Sequence, residues 1–194
     1  MSKNSSHTGP LSPEYALLGL LAQGPSHGYQ LYQILITDLG QVWHISLSQA
    51  YNILNRLESQ GFIAVEVLQQ EKLPDRKLFS LTPKGQERFE RWLRTTSFTS
   101  VRAIRLEFLT RLYFAQPRGV EFSHQLIDAQ LSEVHAGLER LRRSFHEIPD
   151  HQLINQLSVD LRSRQLESIV VWLNNCHKAI DKQSITHKLQ ERNS

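Results

Sequence analysis

The stretch Ser46-Leu-Ser-Gln-Ala-Tyr-Asn-Ile-Leu-Asn-Arg-Leu-Glu-Ser-Gln-Gly61 decides how the rest of this chain is read. Ser46 and Gln49 stand three apart at its start, the spacing at which a hydroxyl and an amide each satisfy a backbone N–H group that a helix start leaves free. Gly61 supplies the stop. Between these signals Ala50, Ile53, Leu54 and Leu57 recur at i, i+3, i+4 and i+7 and form the buried stripe of an amphipathic helix. Ser48, Asn52, Asn55, Arg56 and Ser59 take the opposite side. Amide and guanidinium groups can bond in two directions to base edges in a major groove, asparagine toward adenine and arginine toward guanine. A solvated surface helix has the same polar outer face, so its neighbours carry the decision.

Downstream, Phe62-Ile-Ala-Val-Glu-Val-Leu68 is apolar and β-branched, and Lys77-Leu-Phe-Ser-Leu81 resumes strand-like residues after the break Gln70-Glu-Lys-Leu-Pro-Asp75. Two strands so close in sequence pair as an antiparallel hairpin. Its tip carries Lys72, Arg76 and Lys77 beside Pro74, where phosphate or a minor groove would be met. A charged tip that keeps an edge strand soluble has the same composition. Upstream, Ser12-Pro13 starts a first helix whose Tyr15-Ala-Leu-Leu-Gly-Leu-Leu21 is apolar on nearly every side and belongs in a core. Gly24-Pro25-Ser26 restarts the chain, and Tyr29, Leu31, Ile34, Leu35 and Leu39 mark a second helix that ends near Gly40. Helix, helix, capped helix and hairpin is the order of a winged helix-turn-helix, with residues 46–61 as the recognition helix.

Leu18-Gly-Leu-Leu21, Gly24-Pro-Ser-His-Gly-Tyr29, Tyr51-Asn-Ile-Leu-Asn-Arg-Leu-Glu58, Gly61-Phe-Ile63 and Leu81-Thr-Pro-Lys-Gly85, in this order, resemble the PadR family of bacterial transcriptional regulators. Pro74-Asp-Arg-Lys77 and Trp43 resemble the subgroup that carries the virulence-activator alpha C-terminal domain. The resemblance implies DNA contacts from Ser48, Gln49, Tyr51, Asn52 and Asn55 on the recognition helix and from Arg76 and Lys77 on the wing. Tyr51 lies at the flank of the helix, its hydroxyl toward phosphate and its ring toward the core. The family often has Pro-Gly-Thr where this chain has Leu47-Ser48-Gln49, which alters base preference. It also often has a tyrosine pair where this chain has Leu78-Phe79, which makes wing packing more apolar.

The second half follows another logic. Thr82-Pro83 starts a helix with Phe89, Trp92 and Leu93 on one side, and Thr95-Thr-Ser-Phe-Thr-Ser100 reads as a linker or a helix break. Ile104, Phe108, Leu109 and Leu112 suggest a helix ended by Gln116-Pro117. Ile127, Leu131, Val134, Leu138, Leu141, Phe145 and Ile148 then alternate spacings of four and three, the seam of a coiled coil. After Pro149-Asp150 a last helix carries Leu157, Leu161, Leu166, Ile169, Val170, Leu173 and Ile180. Three helices with a narrow seam do not enclose a large core unaided. The expectation is a homodimer through the seam residues together with Leu166, Ile169 and Leu173, and the alternative is a helical hairpin within one chain. A dimer also suits two recognition helices spaced by about one turn of DNA on a pseudo-palindrome.

The expected fold is mainly α with a small β-wing: a tail over 1–10, a winged helix-turn-helix over 11–95, a linker over 96–100, a helical, coiled-coil-like dimerisation domain over 101–185 and a tail over 186–194. At 194 residues and a formal charge of +3 the chain has room for two domains and is mildly basic. No apolar stretch reaches membrane-spanning length, and residues 1–10 lack the apolar core of a signal peptide, so a cytoplasmic location with no membrane partner is expected. A lone Cys176 fits a reducing compartment and a core position.

Catalysis finds no support. The nine histidines are scattered, with no His-Glu-x-x-His or Cys-x-x-Cys pair and no glycine-rich phosphate loop. Cys176 and His177 are neighbours that diverge on a helix, and His146 and His151 lack a third ligand. No metal, cofactor or enzymatic activity is expected. Trp43, Trp92, Phe98 and Trp172 are candidates for the lining of a small aromatic effector site, and core packing accounts for the same residues. The reading is thus a homodimeric regulator that binds double-stranded DNA. Its competitors are a helical protein-interaction adaptor and an aromatic-ligand carrier that ignores DNA.

Overall fold

The computed structural model describes residues 12–68 and 76–191, with side chains described as far as residue 184. The chain divides into two compact units, Met1–Leu93 and Arg94–Ser194.

In the first unit, α1 (Glu14–Gln23) is the central helix, with Ala16 to Leu21 all buried, as its unbroken apolar run requires. The short strand β1 (Ser26–His27) leads into α2 (Gly28–Asp38), which buries Leu31 and Leu35 and leaves Tyr29 and Ile34 exposed. Then come α3 (Leu47–Ser59), β2 (Ile63–Leu68), β3 (Arg76–Leu81) and α4 (Pro83–Leu93). β2 and β3 pair antiparallel with Val65 opposite Phe79. β1 adds a third strand on the far edge of β3, in the order β1-β3-β2. Two residues are too few to show a strand period, so this strand is not legible in the sequence.

The base of the wing is tied to α4 by backbone. Gly61 takes φ +72°, the left-handed conformation that ends α3. Thr82 Oγ1 lies 2.8 Å from the Gly61 carbonyl and accepts the Gly85 N–H at 3.1 Å, and Lys84 Nζ donates to the Gln60 carbonyl at 2.9 Å. Gly85 passes so close that a Cβ there would lie 2.0 Å from the Phe62 carbonyl oxygen. Trp92 stacks on Tyr15 at 4.6 Å between centroids, which closes α4 onto α1.

In the second unit a helical run is built from α5 (Val101–Ala103), a π-helical turn (Ile104–Phe108) and α6 (Leu109–Ala115). The wider turn brings Ile104, Phe108 and Leu112 onto one buried side. A 3₁₀ turn (Gln116–Arg118) leads to α7 (Val120–His146), and α8 (Leu153–Glu191) packs back along it. The helix thus reaches Glu191, inside the region expected to be a tail.

The seam expected between chains closes within one. Ile127, Val134, Leu138 and Leu141 of α7 are buried in a single cluster with Leu166, Ile169, Leu173 and Ile180 of α8. Leu131 packs at its edge, Ile148 is half-buried and Phe145 is 41% exposed. The buried members of the seam thus pack in an intramolecular hairpin, the arrangement weighed beside the dimer, because a narrow seam needs one partner helix and α8 supplies it.

The polar run Thr95–Ser100 is the non-helical break between α4 and α5, and it is anchored. Ser97 is buried, its N–H donates to Gln130 Oε1 at 2.7 Å, its carbonyl accepts from Gln130 Nε2 at 3.1 Å, and its hydroxyl accepts from Arg111.

Gly85→Ala is expected to destabilise the first unit by about 1–3 kcal/mol through overpacking against rigid backbone. Urea unfolding measures this, and a change under about 0.5 kcal/mol, the size of a neutral surface substitution, would show that the wing base yields.

Candidate nucleic-acid interface

The capping box that starts α3 is formed as its sequence demands. The Gln49 N–H donates to Ser46 Oγ at 3.2 Å, and Gln49 Oε1 accepts the Ser46 N–H at 2.8 Å. Beneath the helix Ala50, Ile53, Leu54 and Leu57 are buried, which fixes the rotation of α3 about its axis. Ser48, Asn52 and Asn55 are consequently exposed on the outer side. These three have no competing partner among the described residues.

The other expected contacts are more constrained. Gln49 Oε1 is held by the cap, which fixes the amide plane and leaves its NH₂ free of that bond to donate elsewhere. Tyr51 is half-buried, its ring against the first residue of α2: a Cβ on Gly28 would come within 2.7 Å of it. Gly28 is therefore what allows the α2 start and Tyr51 to lie together. Arg56 is held at 3.0 Å by Glu14, which also accepts from Arg88. Arg56 thus links α3 to α1, with its side chain still about half exposed at 48%. The sequence reading missed Glu14, because a partner 42 residues away has no local signal.

On the wing, Arg76 and Lys77 are exposed at the start of β3, opposite Leu68 and Val67. Lys72 lies outside the described residues. His27 Nδ1 is 2.9 Å from the Lys77 carbonyl. The contact ties the wing to the start of α2. Tyr51, the α2 start and the two wing cations are in this way linked through Gly28 and His27. The Gly24-Pro-Ser-His-Gly-Tyr29 string contained both residues, but nothing local distinguished their roles.

The four expected effector-pocket aromatics do not form one lining in either unit. Trp43 is buried in the first unit, and Trp92 is occupied by Tyr15 and Phe89. In the second unit Phe98 is exposed, and Trp172 meets Phe108 edge-on at 6.1 Å. Packing accounts for Trp43 and Trp92. Cys176 is half-buried and burial pushes its thiol up to about 11, so it stays protonated at neutral pH. His177 faces Asp128 at 2.9 Å, and among the described residues no three His, Cys, Asp or Glu side chains converge on a metal position.

An exposed polar recognition helix beside a cation-bearing hairpin defines a winged helix-turn-helix of the DNA-binding type. Comparison with known proteins agrees: residues 17–91 match the "Transcriptional regulator PadR-like family". These residues form a PadR-like domain, and the chain is homologous to the negative transcriptional regulator PadR of Bacillus subtilis, with 29% identity over 135 residues, 70% of this chain and 74% of that one. The crystal structure of Bacillus subtilis PadR in complex with operator DNA is 25% identical, with a TM-score of 0.43 over 86% of this chain and 96% of that one. The same protein in complex with p-coumaric acid gives 26% identity and a TM-score of 0.39 over 87% and 98%. Among the described residues no helix is long and apolar enough to cross a membrane.

Ser46→Ala removes one half of the capping box and is expected to cost about 1 kcal/mol of stability. A denaturation midpoint equal to that of the unsubstituted chain would mean the cap does not hold α3.

Proposed function

We propose that this chain is a homodimeric transcriptional regulator that reads a pseudo-palindromic operator, with one α3 in each of two successive major grooves. The observation that carries the reading is the exposed row Ser48, Asn52 and Asn55 above the buried Ala50, Ile53, Leu54 and Leu57. Asn52 and Asn55 have the amides that pair with adenine, and Ser48 adds a hydroxyl near the helix start. Gln49, through its NH₂, and Tyr51, through its hydroxyl, complete the contacts of the helix. Arg76 and Lys77, with Lys72, neutralise phosphate and set the register of the domain on the duplex. The homology to a protein named as a negative transcriptional regulator supports the same class. No catalytic step belongs to this reading.

The dimer is assigned to a second apolar face of α8. Ile154, Leu157, Leu161 and Trp172 are 75%, 53%, 58% and 36% exposed. At about 100° per residue they fall within roughly 60° of one another, and the buried Leu166, Ile169 and Leu173 follow on the adjoining side, centred about 110° further round. A helix apolar on two sides has one side for its own chain and one for a second copy. The two-fold axis this creates matches the symmetry of paired half-sites.

Asn52→Ala is expected to relax base preference at one position of each half-site and to cost about 1–3 kcal/mol at the preferred sequence. An unchanged preference at every position would remove α3 as the reader. Lys77→Ala is expected to weaken binding evenly across sequences and to lower the salt slope by about one per contact, two per dimer; an unaltered slope places the wing off the phosphates. For the association, the double change Leu157→Asp and Leu161→Asp is expected to give a folded monomer in sedimentation, whereas a persistent dimer would relocate the interface.

A further inference from the structure

Glu14 lies in the first turn of α1, where the helix dipole favours a negative charge. Its two oxygens serve two different helices: Oε2 accepts from Arg56 of α3 at 3.0 Å, and Oε1 accepts from Arg88 of α4. The two arginines are held unequally. Arg88 also lies over the Phe62 ring at 4.3 Å and the Tyr15 ring at 5.1 Å, and its Nε donates to the Tyr15 hydroxyl at 3.4 Å. The Arg56 side chain has Glu14 alone as its partner among the described residues. Without the Glu14 charge Arg88 keeps its rings, whereas Arg56 comes loose.

Arg56 stands at the border of the exposed row on α3. It follows Asn52 by four residues, about one turn further along the helix and roughly 40° round the axis. On a helix seated in a major groove, a guanidinium at that border is drawn to two anions, the carboxylate of its own chain and a phosphate of the duplex. A neutral acceptor on α1 would aim the guanidinium and leave its charge for the phosphate. A carboxylate competes for that same charge. Phosphate contacts bind every sequence alike and carry no base information, so the outcome of this competition sets how much of the affinity is independent of sequence.

We propose that Glu14 is a positioning residue for DNA binding: its carboxylate holds Arg56 against α1 and withholds that guanidinium from the phosphates, which keeps the sequence-independent affinity low. The operator is then held to a greater share through Ser48, Asn52 and Asn55. The inference rests on the reading of α3 as the recognition helix and adds a restraint to it. A purely structural tie has the opposite consequence. Loss of a tie that only fastens α3 weakens binding to DNA, whereas loss of a restraint adds a phosphate contact and strengthens it.

Fluorescence anisotropy of the full-length protein over a range of salt, with a duplex from upstream of its own gene and with a scrambled duplex, tests this. The variants are Glu14→Gln, Arg56→Ala, the two together and, as a control of equal charge change at an exposed position of α3, Glu58→Gln. Glu14→Gln is expected to bind both duplexes about fivefold or more tighter at low salt and to steepen the salt slope by about one per protomer, two per dimer. Arg56→Ala is expected to leave the slope of the otherwise unsubstituted chain unaltered and to restore that slope in the Glu14→Gln background. A lower slope in Arg56→Ala alone would put Arg56 on a phosphate already and overturn the proposal. An unaltered slope in Glu14→Gln, a steeper one that survives in the double variant, or an equal steepening in Glu58→Gln would overturn it as well. Should a thermal melt show Glu14→Gln unfolded, Arg56→Ala decides: an unaltered slope sustains the restraint and a lower one removes it. No binding of the unsubstituted chain to either duplex would remove the recognition-helix reading and this inference together, whereas binding with an unaltered slope in Glu14→Gln removes this inference alone.

Discussion

Everything proposed for the DNA-facing surface depends on the burial of Ala50, Ile53, Leu54 and Leu57 against the remainder of the first unit. Burying a large aliphatic side chain contributes about 1.5–3 kcal/mol, so the three larger residues together oppose any rotation of α3 by several kcal/mol. The polar side has no comparable preference, since water satisfies Ser48, Asn52 and Asn55 as well as protein would. The core thus aims the helix, and Ser48, Asn52 and Asn55 point outward because nothing else is left for that face to do. Arg56 shows the limit of the rule. It lies on the polar side by period, and its guanidinium also pairs with Glu14 of α1.

The second unit obeys the same need to cover apolar surface, with a different result. A seam along α7 asks for one partner, and the returning α8 provides it within the chain. The hairpin creates a folded unit, and α8 still presents Ile154, Leu157 and Leu161 to solvent, the face proposed above for a second copy.

Much of the first unit was legible because its signals are local. The Ser46–Gln49 box, the Gly61 stop and the four-residue stripe each lie within one turn or a few, and each has a conformational cause. The strand at Ser26–His27 was not legible, being held by pairing to residues over 50 positions away rather than by its own pattern. Ser97 misled for a related reason. Serines and threonines between helices have the composition of a linker, and only Gln130 and Arg111, distant in sequence, make one of them a buried anchor. On α8 two apolar rows overlap, and the mixed period conceals that they face different ways. In the candidate interface the exposure of Ser48, Asn52 and Asn55 was legible from periodicity, whereas the partners of Gln49 and Arg56 inside the protein required the fold.

The account stands on sequence-selective binding by α3. Fluorescence anisotropy with a duplex from upstream of the protein's own gene, set against a scrambled duplex at low and near-physiological salt, tests it most directly. A preference of about a thousandfold or more for the upstream duplex, retained as salt rises, is the predicted result. Equal affinity for both duplexes, falling together with salt, or no binding to either, would contradict it.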